Sequence, residues 1–343
     1  MKKVTSSDVA KRAGVSQSTV SFVLNGRADI AISESTRRRV LEAAKQLNYV
    51  PGGFSAPVCG GSKTVGVLVP NLTNPYYPML VQTLETCAAA NGYTLLICNT
   101  SRREPDERYY LRRFAENGAD AVILGFTPAD CGYVNTYART LPILILGETD
   151  EHCRVPTIGL NSEKAGILAA EHLLSLGHKD IAFLTTPPES ISLSRKKRLV
   201  GVQTALKKRT DCRLTVKAAY ERESADSAFE AEIGYRMMRE LLKETRVSAV
   251  IGVNDMVAFG ALQALTDGGI SVPEQVSLCG FDNLYLSQIV SPGITTVDHA
   301  LPECCRAALS AVIDCSTHRQ QNIFRMEYEP RLIVRRSTAP AAR

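Results

Sequence analysis

The chain has 343 residues, 45% of them hydrophobic and 22% charged, ordinary values for a globular protein of two or three domains. The net charge of +5 is unevenly placed: residues 1–63 hold ten Lys and Arg against four Asp and Glu, and the remainder holds thirty against thirty-one. A basic end on a neutral body points to a polyanion contact made by one domain, with a merely soluble basic terminus as the plain alternative. No apolar run approaches the ~20 residues of a membrane helix. The opening M-K-K turns polar at once and shows no signal-peptide core. A cytoplasmic protein without membrane contact is expected.

Helical patterning starts at once. Thr5 with Asp8 three residues later is a capping-box variant, and Val9, Ala10 and Ala13 then share one face. Gly14 ends this helix as a C-cap glycine. Ser16 caps a second helix running to about Leu24, with Val20, Val23 and Leu24 facing inward. Helix, short Gly-containing turn, helix is the helix-turn-helix layout. A third helix starts at Ser33, with Val40, Leu41, Ala44 and Leu47 as its buried stripe and Arg37, Arg38 and Arg39 near its start, available to phosphates.

The run D-V-A-K-R-A-G-V-S-Q-S-T-V-S-F-V-L-N-G (8–26), followed by T-R-R-R-V-L-E-A-A-K-Q-L-N-Y-V-P (36–51), resembles the DNA-binding head of the LacI family. A recognition helix reads base edges from its N-terminal turn, which puts Gln17 and Ser18 in the base-reading places. Gln pairs bidentately with adenine, and Phe22, one turn on, can touch a thymine methyl, so an A/T-leaning half-site is expected. Ser16, Thr19, Ser21 and Asn25 look like phosphate contacts, although helix capping alone also accounts for Ser16. The resemblance implies a double-stranded, palindromic DNA operator bound by a homodimer or a higher assembly.

Past Pro51 the linker departs from the family pattern. A hinge helix wedging a side chain into the minor groove would place Val58 there. Gly52, Gly53 and Pro57 oppose such a helix, at up to ~1 kcal/mol per Gly and ~3 for an interior Pro. Hinge helix and plain flexible linker both stand. The fragment G-S-K-T (61–64) lacks the spacing of a phosphate loop.

From Thr64 short apolar runs alternate with amphipathic stretches. V-G-V-L-V-P (65–70), T-L-L-I-C-N (94–99), A-V-I-L-G-F (121–126) and I-L-I-L-G (143–147) read as buried parallel strands, with helices over 78–91 and 105–117. A second series follows: D-I-A-F-L-T (180–185), a region near 214–220, S-A-V-I-G-V (248–253) and V-S-L-C-G-F (276–281), separated by helices near 162–177, 195–209, 232–244 and 255–268. Repeated β-α units predict two doubly wound parallel-sheet lobes, whose ligands bind beyond the carboxyl ends of the strands. The expected fold is thus an all-α head followed by an α/β sensor. Its boundaries are 1–50 for the head, 51–63 for the linker, 64–160 with 293–321 for the first lobe, 161–292 with 322–338 for the second, and a tail over 339–343.

This stretch resembles the LacI-type sensor and the periplasmic sugar-binding architecture, carried by V-P-N-L-T-N-P-Y-Y (69–77), R-L-V-G-V-Q-T-A-L (198–206), N-D-M-V-A-F-G-A-L (254–262) and V-P-E-Q-V-S-L-C-G-F-D-N (272–283). The resemblance places ligand contacts on Tyr76, Tyr77, Phe126, Arg198, Asn254 and Asp282, with Phe229 as an aromatic wall. Asp, Asn and Arg serve hydroxyl groups, and aromatic faces stack on sugars or bases. The chain has no Trp, so Tyr or Phe must do the stacking. Asp282 could instead cap a helix, Arg198 could be a surface charge among Arg195, Lys196 and Lys197, and Tyr77 could be core.

Ten cysteines form no C-x-x-C pair and show no zinc spacing. Cys87, Cys98 and Cys279 read as small buried hydrophobes, which points to a reducing cytosol. The adjacent Cys304 and Cys305 read as structural. His152, His172, His178, His299 and His318 share no metal spacing, and capping of the preceding helix is the simplest account of His178. No catalytic residue, metal site or cofactor is expected. The reading is a metabolite-gated regulator, most simply a repressor, with a sugar or sugar derivative as effector and a sugar acid or nucleoside next. Against the alternative, a solute-binding protein without gene regulation, stand the basic head and the missing signal peptide.

Overall fold

The computed structural model describes residues 5–24, 32–47, 63–148, 152–186, 192–207, 209–220, 229–318 and 322–342. The chain divides into two compact units, Met1–Gly61 and Ser62–Arg343.

The first unit holds α1 (Ser6–Ala13), α2 (Gln17–Leu24) and α3 (Glu34–Gln46). Asp8 reaches back to accept hydrogen bonds from the Thr5 amide (2.8 Å) and hydroxyl (2.7 Å). Gly14 closes α1 in the left-handed region, φ 64° and ψ 42°, which a residue without Cβ adopts at no steric cost. Val9, Val20 and Val40 are fully buried where the three helices meet. The expected stripe of α3 needs one correction. Leu41 is 49% exposed, and Ala43, beside Val40 and Ala44, takes the inward place.

The second unit begins with β1 (Thr64–Val69), α4 (Tyr76–Ala90), β2 (Thr94–Asn99), α5 (Glu104–Glu116), β3 (Ala121–Leu124), α6 (Cys131–Tyr137), β4 (Ile143–Leu146) and β5 (Thr157–Leu160). It continues with α7 (Ser162–Ser175), β6 (Asp180–Thr185), α8 (Leu193–Lys207), β7 (Arg213–Ala218), α9 (Phe229–Glu244), β8 (Ala249–Gly252), α10 (Asp255–Asp267), β9 (Ser277–Phe281) and α11 (Leu286–Ile289). It ends with β10 (Thr295–Asp298), α12 (Leu301–His318), β11 (Arg325–Tyr328) and β12 (Arg331–Ile333). Two six-stranded sheets result, in the orders β11-β5-β4-β3-β1-β2 and β12-β10-β9-β8-β6-β7, with β12 the antiparallel edge. The central strands β3, β4, β8 and β9 are buried on both faces, which is why they read as continuous apolar runs.

The chain passes between the lobes near Asn161, near His299 and at Glu329–Pro330. These crossings depart from the expected boundaries. Strand β10 pairs with β9 in the second sheet, although 293–321 was assigned to the first lobe, and β11 pairs with β5 in the first sheet, although 322–338 was assigned to the second. Only the pairing partner decides which sheet a short strand joins: β10 continues the second sheet beside the strand before it, while β11 pairs with β5, distant in sequence.

Cys131 and Cys153 are joined by a disulfide across 22 residues of sequence, with Cα atoms 5.0 Å apart. No spacing rule signalled it, and it is at odds with the reading of the cysteines as reduced. Cys279, Cys304 and Cys305 are free and buried, while Cys87 and Cys98 are only half-buried. Burial pushes the Cys304 thiol up to about 12, which makes it inert.

Candidate functional site

The head presents an exposed recognition helix. Ser16 caps α2, its hydroxyl accepting from the Thr19 amide at 3.1 Å and lying 2.9 Å from the Thr19 hydroxyl. Gln17, Ser18 and Ser21 are exposed, and Thr19 and Phe22 are half-buried. Gln17 is engaged locally: its amide donates to the Ser6 hydroxyl at 2.7 Å and its carbonyl accepts from Ser7 at 3.4 Å. A base edge would have to replace those exposed bonds. Arg12 ties α1 to α3 through Gln46, 2.8 Å away. Asn25 and Val58 lie outside the described residues.

In the second unit the carboxyl ends of both sheets converge on one charged cluster. Arg198, on α8, donates to the Val253 carbonyl at 2.6 Å and lies 3.2 Å from the Asp282 carboxylate. His299 Nε2 lies 2.9 Å from both Arg198 and Asp282. The Arg198 guanidinium sits over the Phe281 ring at 4.8 Å. Burial alone would raise the Asp282 carboxyl. The Arg198 charge and the His299 bond outweigh it, and the net direction is down. The His299 ring is pushed below its ordinary value by burial and by Arg198, so it is neutral at pH 7. Arg198 Nε has no hydrogen-bond partner among the described residues. Asp282 therefore pairs with a cation and does not cap a helix, and Arg198 is no surface charge.

Packing fixes this geometry. A Cβ at Gly201 would collide with the Glu163 carbonyl, and one at Gly166 with the Arg198 carbonyl, so α7 and α8 touch backbone to backbone. Asp255, wholly buried at the start of α10, accepts from the Leu284 amide (2.9 Å), the Ser287 hydroxyl (2.6 Å) and the Thr296 hydroxyl (2.7 Å). These bonds hold the loop that carries Asp282, whose own backbone sits at φ 102°. Burial, with Asp282 adding, pushes the Asp255 carboxyl up to about 7.

The other expected residues fare differently. Tyr76 sits edge-on to His299 at 5.9 Å and to Tyr77 at 5.3 Å, and burial and Asp282 raise its phenol well above its ordinary value. Tyr77 accepts from Arg102 at 3.4 Å and packs in the first lobe's core. Phe126 and Phe229 are buried in the cores of their lobes, and neither borders the described cavity beside Arg198. Asn254 caps α10, its side chain accepting from the Val257 amide at 2.9 Å. His178 does take part in the cap of α7, its backbone amide donating to the Leu173 carbonyl at 3.1 Å, and its buried ring, 2.9 Å from the Ser277 hydroxyl and 3.0 Å from the Ala339 carbonyl, also clamps the C-terminal segment.

Sequence reasoning passed over a second buried group. Arg195 donates to Thr186 at 3.0 Å and pairs with Glu230, which also accepts from Asn74 of the first lobe at 2.6 Å. Lys197 reaches Glu148 of the first lobe at 2.5 Å. The signal was available: Arg195 lies three residues before Arg198 and so shares its helix face. The charge run around it masked that spacing.

A helix-turn-helix unit and an α/β unit with a charged cleft between two parallel sheets define a DNA-binding regulator with an effector domain. The family described as bacterial regulatory proteins, lacI family, matches residues 5–52, and a periplasmic binding protein-like domain matches 170–338. An HTH-type transcriptional repressor PurR of Mannheimia succiniciproducens is 31% identical over 348 residues, covering 98% of this chain and 99% of that protein. The PurR repressor of Pectobacterium atrosepticum is 30% identical, covering 98% and 97%. A LacI family regulator from Enterococcus faecium, solved with bound ribose, is 26% identical at a TM-score of 0.71, covering 81% of this chain and all of that one. The lac repressor dimer bound to operator and the anti-inducer ONPF shares the fold at a TM-score of 0.71 and 23% identity, covering 98% and 100%. The chain belongs to the lacI family of bacterial regulatory proteins. It is a DNA-binding transcriptional regulator with an effector-binding unit and not an enzyme. Among the described residues no helix is long and apolar enough to cross a membrane, and no group of three His, Cys, Asp or Glu could hold a metal.

Proposed function

We propose that the protein is a cytoplasmic repressor that binds a palindromic operator as a homodimer and is controlled by a small polar effector held at Arg198, Asp282 and Tyr76. One observation carries this: a buried Arg198–Asp282–His299 cluster at the strand ends between two lobes, with a guanidinium donor left over. A buried donor without a partner is costly, and a ligand oxygen would satisfy it. Coupled carboxylate and guanidinium suit the vicinal hydroxyls of a sugar, and the ribose-bound relative supports that class. A nucleoside is the second reading, because the Tyr76 and His299 rings face a base as readily as a sugar. Gln17 and Ser18 read bases, and Ser16, Thr19, Ser21 and Asn25 hold phosphates. Gel-shift selection from random duplex DNA, repeated with sugars and nucleosides, tests the whole reading. A palindromic winner whose binding shifts with one compound supports it. No enriched sequence at moderate salt from a folded dimer overturns it.

A further inference from the structure

The cleft carries three cations on one helix, which by count alone suggests a receptor for an anionic effector. The pairings say otherwise. Arg195 is matched by Glu230, Lys197 by Glu148 and Arg198 by Asp282. Two of these pairs reach the opposite lobe: Glu230 also accepts from Asn74, and Lys197 crosses to Glu148. Asp255 lies behind Asp282, enclosed by three donors. Among the described residues, then, each of these three cations already has an anionic partner and is not left to neutralise a phosphate or carboxylate.

We propose that the Arg195–Glu230 pair is a specificity element that cancels charge in the cleft, so that the effector is an uncharged polyol or nucleoside and its phosphorylated or acidic analogue is rejected. This rests on the effector reading above and narrows it. The geometry favours a pair built for cancellation. Arg195 and Glu230 are each 7% exposed, and the Arg195 guanidinium donates to Thr186 and to Glu230. An anion entering beside Arg195 would have to displace Glu230, which would then be buried without its cation and still tied to Asn74. A neutral ligand displaces nothing and takes its hydrogen bonds from the unfilled donor of Arg198.

Inorganic phosphate is the probe, titrated calorimetrically into the full-length protein at constant ionic strength. The native protein is expected to show no saturable phosphate site in the millimolar range. Glu230→Gln keeps the acceptor for Asn74 but frees the Arg195 charge, and it should gain a phosphate site at least about tenfold tighter than any in the native protein. The further change Arg195→Met should abolish that gain. Saturable binding to the native protein that Arg195→Met removes would overturn the proposal, as would a folded Glu230→Gln that gains nothing. The native arm decides even if Glu230→Gln does not fold. A gained phosphate site alongside a failed operator selection would sink the regulator reading and leave this one standing.

Discussion

Consider Asp282→Asn. Asn keeps the shape, tolerates the φ of 102° at this position, and still offers Arg198 an acceptor. What it removes is charge. The Arg198 and Asp282 side chains are only 8% and 7% exposed, so solvent screens the pair little. At 3.2 Å, with an effective dielectric of about 20, the pair interacts by about 5 kcal/mol. Breaking one partner of a buried pair costs about 3–5 kcal/mol, and the retained acceptor puts this change near about 3. Arg198→Met should cost a similar amount, because it strands the carboxylate. The double variant should cost clearly less than the sum, since neither charge is then left alone. Urea unfolding of the four proteins of this cycle, followed on the second unit's transition, gives the coupling. His299 supplies an independent readout. The Asp282 bond and charge raise its pKa against burial, so in Asp282→Asn the imidazole should titrate still lower by NMR. Strictly additive losses, single costs below about 1 kcal/mol, or an unmoved His299 would refute the argument that this is a coupled buried cluster.

Gln17→Ala should leave the head folded, since the side chain is exposed, and should cost about 1–3 kcal/mol of discrimination at one base pair, measured by competition among operator variants; uniform weakening would deny it a reading role. Gly201→Ala should push α8 from α7 and cost about 1–3 kcal/mol in unfolding, with loss of the effector response, because Arg195 and Arg198 ride on that helix. Stability against pH carries two opposed contributions. The buried His178 has a depressed pKa, so its contribution is complete above the unfolded value of 6.5 and is lost as pH falls below it. Asp255, raised to about 7 from 3.8, contributes fully below 3.8, and that contribution is lost as pH rises through about 7. In melting curves, His178→Gln should flatten the acidic fall, and Asp255→Asn should remove the decline on approach to pH 7.

The head was legible because its signals are local: Thr5 with Asp8, Gly14, Ser16 and Ser33 each act within a few residues of themselves. The buried strands were legible because a parallel strand covered on both faces must be apolar throughout, as β3, β4, β8 and β9 are. The short pieces between and after them were not. Strand β5 and helices α6 and α12 left no recognised pattern, and β11 joins a sheet decided by a strand partner far away in sequence. At the cleft, the sequence named Arg198 and Asp282 from their motifs but not what they do to each other. The role of Asn254 as a cap, the burial of Phe126 and Phe229, and the pairing of Arg195 with Glu230 depend on which helix lies against which. Chain order by itself determined that a recognition helix precedes two α/β series. Only the tertiary structure, by bringing groups such as Asn74 and Glu230, 156 residues apart, within hydrogen-bonding distance, decided which charges face one another and so what the cleft accepts.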